Sequence, residues 1–423
     1  MNPIDVAGLP VGDGHPPRIM GVLNMSVESN YTPSTWGDVE QAVAHAEEMV
    51  AEGADIIDVG LQSSNPKNPW KAMETEKERL QRALEVVEEA ECGAVWSIET
   101  RYAEVADEAL GNGFDMVNDV CGFADPEMPE VCEAHDAAVV KMASPPDIKS
   151  PGHLRSIDDC FAALERGGFT EKTIIDPAFG GWYDEKTYGD NWEMFRRLRE
   201  FRAFGRPILT ATNREDFLGD IADRPETEDQ LAVSLAAATM EVERGADIVR
   251  THDVPETKDV AAVADFLGDE RTGADSGEAA ELTGVAPREV ARNVHLRGQN
   301  DGDPAAAMTL SFRAGKLDDV ARRTLAAIGE EHGMLVAAGD PSDPSEHSSG
   351  AIDDPEAGGQ GSRPASEGTF LAGTVIAFEA ALPELSGVDG VESLAGTIRR
   401  TLARERHDDE SEDVAAPGVV ADE

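Results

Sequence analysis

Short apolar runs that stop on polar residues recur along the first two thirds of the chain. They read IMGVLN (19–24), ADIIDVG (54–60), AVWSIET (94–100), FDMVNDV (114–120), AAVVKMAS (137–144), TIIDPAF (173–179), RPILTAT (206–212) and ADIVRTHD (246–253). Runs of this length, separated by helical stretches, predict strands buried on both faces of a parallel sheet. The stretch DVEQAVAHAEEMVAEG (38–53) places Val39, Val43, Ala46 and Val50 at helical spacing and stops at Gly53. TEKERLQRALEVVEEA (75–90) and ETEDQLAVSLAAATMEVERG (226–245) repeat the pattern, and the order helix–Gly–Ala–Asp–strand occurs in both EGADIID and RGADIVR. Eight such units in about 250 residues predict an α/β chain with one closed (β/α)8 barrel of the TIM type and a C-terminal extension. Side chains at the carboxyl ends of barrel strands converge on one mouth. The expected set there is Asn24, Ser64, Glu99, Asn118, Lys141, Asp176, Arg214, Arg250 and His252. These amides, carboxylates and cations suit a polar heterocycle and an anion.

The pattern sets the expected boundaries. Residues 1–16 read as an N-terminal arm, 17–268 as the barrel and 269–339 as a small α/β extension. Within the extension, 277–294 reads as helical, and AAMTLSF, LDDVARRTLAAIGEEH and GMLVAA read as a strand–helix–strand piece. Residues 340–368, rich in Pro, Gly, Ser and Asp, read as a disordered linker, and 369–423 as helical segments (370–383 and 388–404) with an acidic tail.

Charge changes the picture of habitat more than of chemistry. With 84 acidic and 36 basic residues the net charge is −48, which disfavours nucleic acid as a partner. The carboxylates are spread through every helix rather than blocked together. That distribution points to a halophile's cytosol, where salt screens surface repulsion. The four cysteines (Cys92, Cys121, Cys132, Cys160) show no metal-type pairing, which fits a reducing interior; Cys121 reads either as a nucleophile or as an apolar filler. No apolar stretch reaches membrane-span length, and no signal peptide is expected at the N-terminus, so the expectation is a cytoplasmic protein without a membrane partner.

The motifs MGVLNMS, SIET, NDVCG, DPEM, IIDPAFG, NRED and IVRTHD, in this order and spacing, resemble the dihydropteroate synthases over residues 17–268. The resemblance implies a (β/α)8 barrel that condenses 6-hydroxymethyl-7,8-dihydropterin diphosphate with 4-aminobenzoate and releases diphosphate. It implies that Asp176 pairs with the 2-amino/N3 edge of the pterin, with Asn118 reading the ring beside it and Glu99 standing where the family usually has Asp. Buried carboxylates and amides are the groups that satisfy such an edge. Arg250 and His252, two apart on one strand, point the same way and are the expected catalytic pair that meets the diphosphate. For Arg250 the alternative is an ion pair with Asp58 or Asp253. Asn24 is expected to bind the anion or Mg2+ through its carbonyl oxygen. Ser64, Asn213 and Arg214 complete the substrate-binding set, and a homodimer is expected.

Three departures fall around the second substrate. Asn213-Arg214-Glu215 stands where the family has Ser-Arg-Lys, Ser63-Ser64-Asn65-Pro66 where it has Ser-Thr-Arg-Pro, and 25–35 lacks Pro-Asp-Ser-Phe. Glu215 reads either as a base for the attacking amine or as a solvent-facing acid, and Lys186 or Lys141 as a replacement cation. Two other readings remain: a pterin-dependent methyltransferase, for which the extension lacks the DxHxxG corrinoid pattern, and a non-catalytic pterin-binding protein.

Overall fold

Each of the eight apolar runs contains a strand. The structure, a computed structural model, describes residues 3–26, 38–62, 71–183, 185–268, 285, 287–297, 304–314, 317–337 and 369–406. A hairpin comes first, β1 (Ile4–Val6) and β2 (Leu9–Val11), within the expected N-terminal arm. Its two-residue turn has Ala7 and Gly8 at positive φ, 50° and 90°, the twist that suits a tight antiparallel pair. The barrel strands are β3 (Arg18–Asn24), β4 (Ile56–Gly60), β5 (Val95–Thr100), β6 (Met116–Asp119), β7 (Ala138–Met142), β8 (Thr173–Asp176), β9 (Leu209–Thr210) and β10 (Ile248–Thr251). They pair in parallel in the order β8-β7-β6-β5-β4-β3-β10-β9, and a parallel bridge between Ile175 and Ile208 closes the ring.

Nine helices wrap this ring among the described residues: α1 (Val39–Glu52), α2 (Met73–Glu89), α3 (Ala103–Leu110), α4 (Met128–Ala134), α5 (Ile157–Glu165), α6 (Tyr188–Arg196), α7 (Asp216–Ile221), α8 (Leu231–Glu243) and α9 (Val254–Leu267). The start and stop of α1 follow from two residues. The Asp38 carboxylate accepts from the Gln41 amide at 3.2 Å, and Gly53 takes the left-handed conformation at φ 114°.

Alternation along each strand separates two cores. Met20, Ile56, Val95, Met116, Ala138, Val140, Ile174, Leu209 and Ile248 point inward, and Val6 and Val11 of the hairpin pack beneath them. Their neighbours Ile19, Ile57, Trp96, Val117, Val139 and Val249 point outward against the helices. Each fully buried side chain of this size contributes about 1.5–3 kcal/mol. The inward phase then fixes which polar residues reach the mouth. Two steps beyond Ile56 stands Asp58; beyond Val95 come Ser97 and Glu99; beyond Met116, Ile174 and Ile248 come Asn118, Asp176 and Arg250.

The chain divides into two compact units, residues 1–285 and 286–423. In the second, α10 (Pro287–Arg297) precedes a three-stranded antiparallel sheet of β11 (Thr309–Ala314), β12 (Leu335–Ala337) and β13 (Thr369–Thr374), in the order β11-β13-β12. The helices α11 (Asp319–His332), α12 (Val375–Leu385) and α13 (Glu392–Arg406) share its core, built on Leu325, Leu371, Val375, Phe378, Ala381 and Ile398. This corrects the expected boundaries. Residues 269–339 and 369–423 do not form separate pieces, because β13 inserts between β11 and β12. The helix expected over 370–383 is strand up to Thr374, where the Thr374 hydroxyl caps α12 by accepting from the Ala377 amide. The linker expected over 340–368 lies outside the described residues.

Candidate active site

Asp58 anchors the polar interior of the barrel. It is fully buried and accepts three hydrogen bonds: from Ser97 Oγ at 2.7 Å, Asn118 Nδ2 at 3.0 Å and Arg250 Nε at 2.7 Å. Arg250 Nη2 donates at 2.6 Å to Glu99 Oε2. Three strands of the expected set, β5, β6 and β10, are thereby tied through β4. Glu99, Asn118 and Arg250 come together as expected, and of the two acids weighed as ion-pair partners for Arg250 the one it meets is Asp58. Burial pushes the Glu99 carboxyl up to about 7, although Arg250 opposes it. One atom of the network stands out. Asn118 Oδ1 is buried and accepts no hydrogen bond from the described residues. A buried acceptor left unmet costs about 1–3 kcal/mol, so it is a place where a ligand N–H gains.

At the row's edge, register sets Asn24 beside Gly60, Gly60 beside Glu99 and Glu99 beside Asn118. Glycine at 60 leaves room for the Asn24 side chain: a Cβ there would stand 2.9 Å from Asn24 Oδ1, which would have to move. Ser26, just past β3, is buried and its hydroxyl has no partner among the described residues.

Asp176 ends β8 and its Oδ1 accepts from the Ala178 amide at 2.7 Å, the turn expected before a proline. Burial raises its pKa to about 6, opposed by the Ala178 amide and by the charges of Arg250 and Lys186. Ala178 is held at φ +64°, an uncommon conformation for a residue with a Cβ, and its carbonyl accepts from Lys186 Nζ at 2.5 Å. Lys186 is buried. Glu215, just before α7, is half-buried rather than solvent-facing, and a Cβ on Gly180 would stand 3.2 Å from both of its carboxylate oxygens.

Several expected residues do other work. Lys141 is one step out of phase with inward Val140, so it points between sheet and helices. There its Nζ donates to the carbonyls of Leu164, Arg166 and Gly168 at 2.7, 2.6 and 2.8 Å, closing the end of α5. It is not a mouth residue. Arg214, at φ +57°, turns its guanidinium onto Asp253 with two 2.8 Å hydrogen bonds and onto the Thr227 and Glu228 carbonyls, bracing the segment that follows β9. Asn213 joins the brace, donating to Asp253 Oδ2 at 2.9 Å and accepting from the His252 amide at 3.0 Å. His252 follows Arg250 in phase, and burial and then Arg250 depress its pKa to about 3, which favours the neutral imidazole. The Cys121 thiol is buried and pushed up by burial, which favours the apolar-filler reading. Ser64 lies outside the described residues, as do most of the first loop (27–37) and the Ser63–Pro66 motif.

Asp58 and Ser97 were missed as site residues. Their signal was present: both stand in phase with inward Ile56 and Val95, one pleat below the strand ends that drew attention.

A family profile described as pterin binding enzyme matches residues 20–252. A probable bifunctional folylpolyglutamate synthase/dihydropteroate synthase of Halobacterium salinarum is 36% identical over 277 residues, 62% of this chain and 33% of that protein. The chain thus spans about a third of the length of that relative. The dihydropteroate synthase of Bacillus subtilis is 33% identical over 257 residues, which cover 59% of this chain and 88% of its own. Among solved structures, Thermus thermophilus dihydropteroate synthase in complex with 4-aminobenzoate superposes with a TM-score of 0.52 at 29% identity, covering 63% of this chain and 99% of that one. The Coxiella burnetii enzyme in complex with pteroic acid gives the same TM-score, 0.52, and 29% identity over 61% of this chain and 95% of its own. With its barrel, its buried acid–amide–guanidinium network and a family match over more than half its length, the chain belongs to the pterin-binding enzymes.

Proposed function

We propose that the barrel is a dihydropteroate synthase, a transferase of folate biosynthesis that joins 6-hydroxymethyl-7,8-dihydropterin diphosphate to 4-aminobenzoate and releases diphosphate. The observation that carries this reading is the Asp58–Asn118–Arg250–Glu99 network, whose Asn118 Oδ1 is buried without a donor beside strands that end in Asp176. A pterin's amino edge supplies the missing donors, and Asp176 receives its 2-amino/N3 side. Arg250 Nη1 makes no hydrogen bond among the described residues and faces the diphosphate, while neutral His252 donates a hydrogen bond without adding charge. The C–O bond to diphosphate breaks, the arylamine nitrogen bonds the pterin methylene, and the amine proton is released. Donors preorganised around the leaving anion lower the barrier by about 3 kcal/mol each. No protein nucleophile takes part.

The cation of this reading is Mg2+. Asn24 Oδ1 and the Ser26 hydroxyl, which has no partner among the described residues, are oxygen donors of the kind a hard ion takes. Asn24 would hold it, and when bound it shields the charge of the diphosphate. The proposal extends to setting: a salt-rich cytoplasm, supported by the charge of −48 and the relatives of Halobacterium salinarum and Haloferax volcanii. Self-association as a homodimer has support in Met240, Val263, Phe266 and Leu267, exposed on α8 and α9. Among the described residues no helix is long and apolar enough to cross a membrane.

The test incubates the purified chain, in high salt with Mg2+, with the pterin diphosphate and 4-aminobenzoate. Diphosphate and the coupled pterin–arylamine product should appear together in equal amounts. Pterin binding without either product would favour the non-catalytic reading.

A further inference from the structure

We propose that Lys186 is a positioning residue for Asp176, and that Glu215 is the counter-charge that keeps Lys186 in place. The inference rests on the reading of Asp176 as the carboxylate that meets the pterin. Three links carry it. Lys186 Nζ and the Asp176 carboxylate grip opposite ends of one residue: the ammonium takes the Ala178 carbonyl at 2.5 Å and the carboxylate takes the Ala178 amide at 2.7 Å. Ala178 sits at φ +64°, a conformation that persists only when its surroundings over-determine it. Lys186 is that surrounding. The next turn is fixed as well, since the Gly180 amide donates to Asn191 Oδ1 at 3.0 Å and Trp182 Nε1 to the Phe179 carbonyl at 2.8 Å. Against this turn, at Gly180, lies the Glu215 carboxylate.

The charges complete the assignment. The groups that act on Lys186 are Cys160 from α5, Glu215 from the segment before α7, Asp176 from the end of β8 and Asp190 from α6. Burial lowers the Lys186 pKa, and the acids around it oppose that shift and favour the ammonium. Those acting on Asp176 are Arg250 and Lys186, and Asp176 in turn acts on Glu241 of α8. Position 215 is where the related synthases are expected to carry a lysine. Here the cation comes from the preceding loop and the acid stands opposite, so the sign reversal at 215 belongs with Lys186 and not with a new second substrate.

The experiment titrates a pterin lacking the diphosphate into the full chain by calorimetry, between pH 5.5 and 8.5 in high salt. The proteins are the wild type, Lys186→Met, Lys186→Arg, Glu215→Gln and the double variant Lys186→Met/Glu215→Gln. In wild type, affinity should fall as pH drops through about 6, where Asp176 takes a proton. Without the ammonium, Asp176 holds its proton to higher pH, so the loss in Lys186→Met should grow as pH falls. Were the Asp176 pKa to move from about 6 to about 7, the loss would be about sevenfold larger at pH 5.5 than at pH 8. Lys186→Arg should recover part of it. The double variant, which removes the stranded carboxylate, should fold even where Lys186→Met does not and should lose no more than Lys186→Met. A loss equal at every pH, no loss at all, or additive losses in the double variant would overturn the inference. Failure of the wild type itself to bind would overturn the pterin reading instead.

Discussion

Arg250 is gripped from two sides, by a fully buried Asp58 and by Glu99, and the same Asp58 orients Asn118. A change at 250 therefore reaches the pterin subsite as well as the anion. Arg250→Ala strands two carboxylates inside the barrel, and breaking a buried pair in this way costs about 3–5 kcal/mol. Denaturant unfolding should show that loss, and the variant should lose affinity for a bare pterin along with turnover. An unchanged midpoint would mean that water or a rearranged side chain compensates Asp58. Much of this site was legible in the chain. Glu99, Asn118, Asp176 and Arg250 each follow an inward apolar residue by an even step, so period 2 alone brings them to the mouth. Lys141 shows where counting strand ends fails, because it is an odd step from Val140. Arg214 was not legible, since its orientation depends on a positive φ and on Asp253, 39 residues away, and neither leaves a local pattern.

Among the elements, α8 carries the least readable feature. In a chain with 84 acids Glu241 looks like one more surface carboxylate, yet it is fully buried. It accepts from Thr210 Oγ1 at 2.8 Å and from Thr212 Oγ1, so it pins α8 to β9. Burial raises its pKa from 4.5 to about 7. The folded protein therefore binds more protons at this site than the unfolded chain between pH 4.5 and 7. Stability from this group is greatest below pH 4.5, falls as pH rises through that window and is level above 7. Glu241→Gln keeps a hydrogen-bonding group for both threonines and removes the ionisation. It should match wild type near pH 5 and melt higher at pH 8, by roughly 3 kcal/mol if the full difference is expressed. Melting curves that stay parallel from pH 5 to 8 would show that the Glu241 proton is not linked to folding. The strand β13 escaped sequence reading for a related reason. Its pairing partners are β11 and β12, and Phe370 to Val375 alone is as compatible with a helix as with a strand.

At the scale of the whole molecule, the core residues of the barrel and those of the second unit fall in different clusters among the described residues. The expected boundary at 268 follows the last barrel helix, while the compact unit runs to Val285. The Bacillus subtilis relative matches 59% of this chain with 88% of its own, and the family profile ends at residue 252, within the first unit. A protein cut after Val285 should accordingly fold by itself and bind a pterin within about threefold of the full chain, since no residue of the proposed site lies beyond it. The melting temperature of the full chain should rise with salt, because a chain of net charge −48 repels itself until ions screen it, with a Debye length of about 10 Å at 0.1 M and 3 Å at 1 M. Buried pairs are screened far less than surface charges, so pterin affinity should vary less over the same range than the melting temperature does. Calorimetry and thermal melts at 0.1 and 2 M salt check both halves. Should the shortened protein remain unfolded at 2 M salt while the full chain folds, the barrel would depend on residues 286–423, and the second unit would have to be counted part of the structure that makes the site.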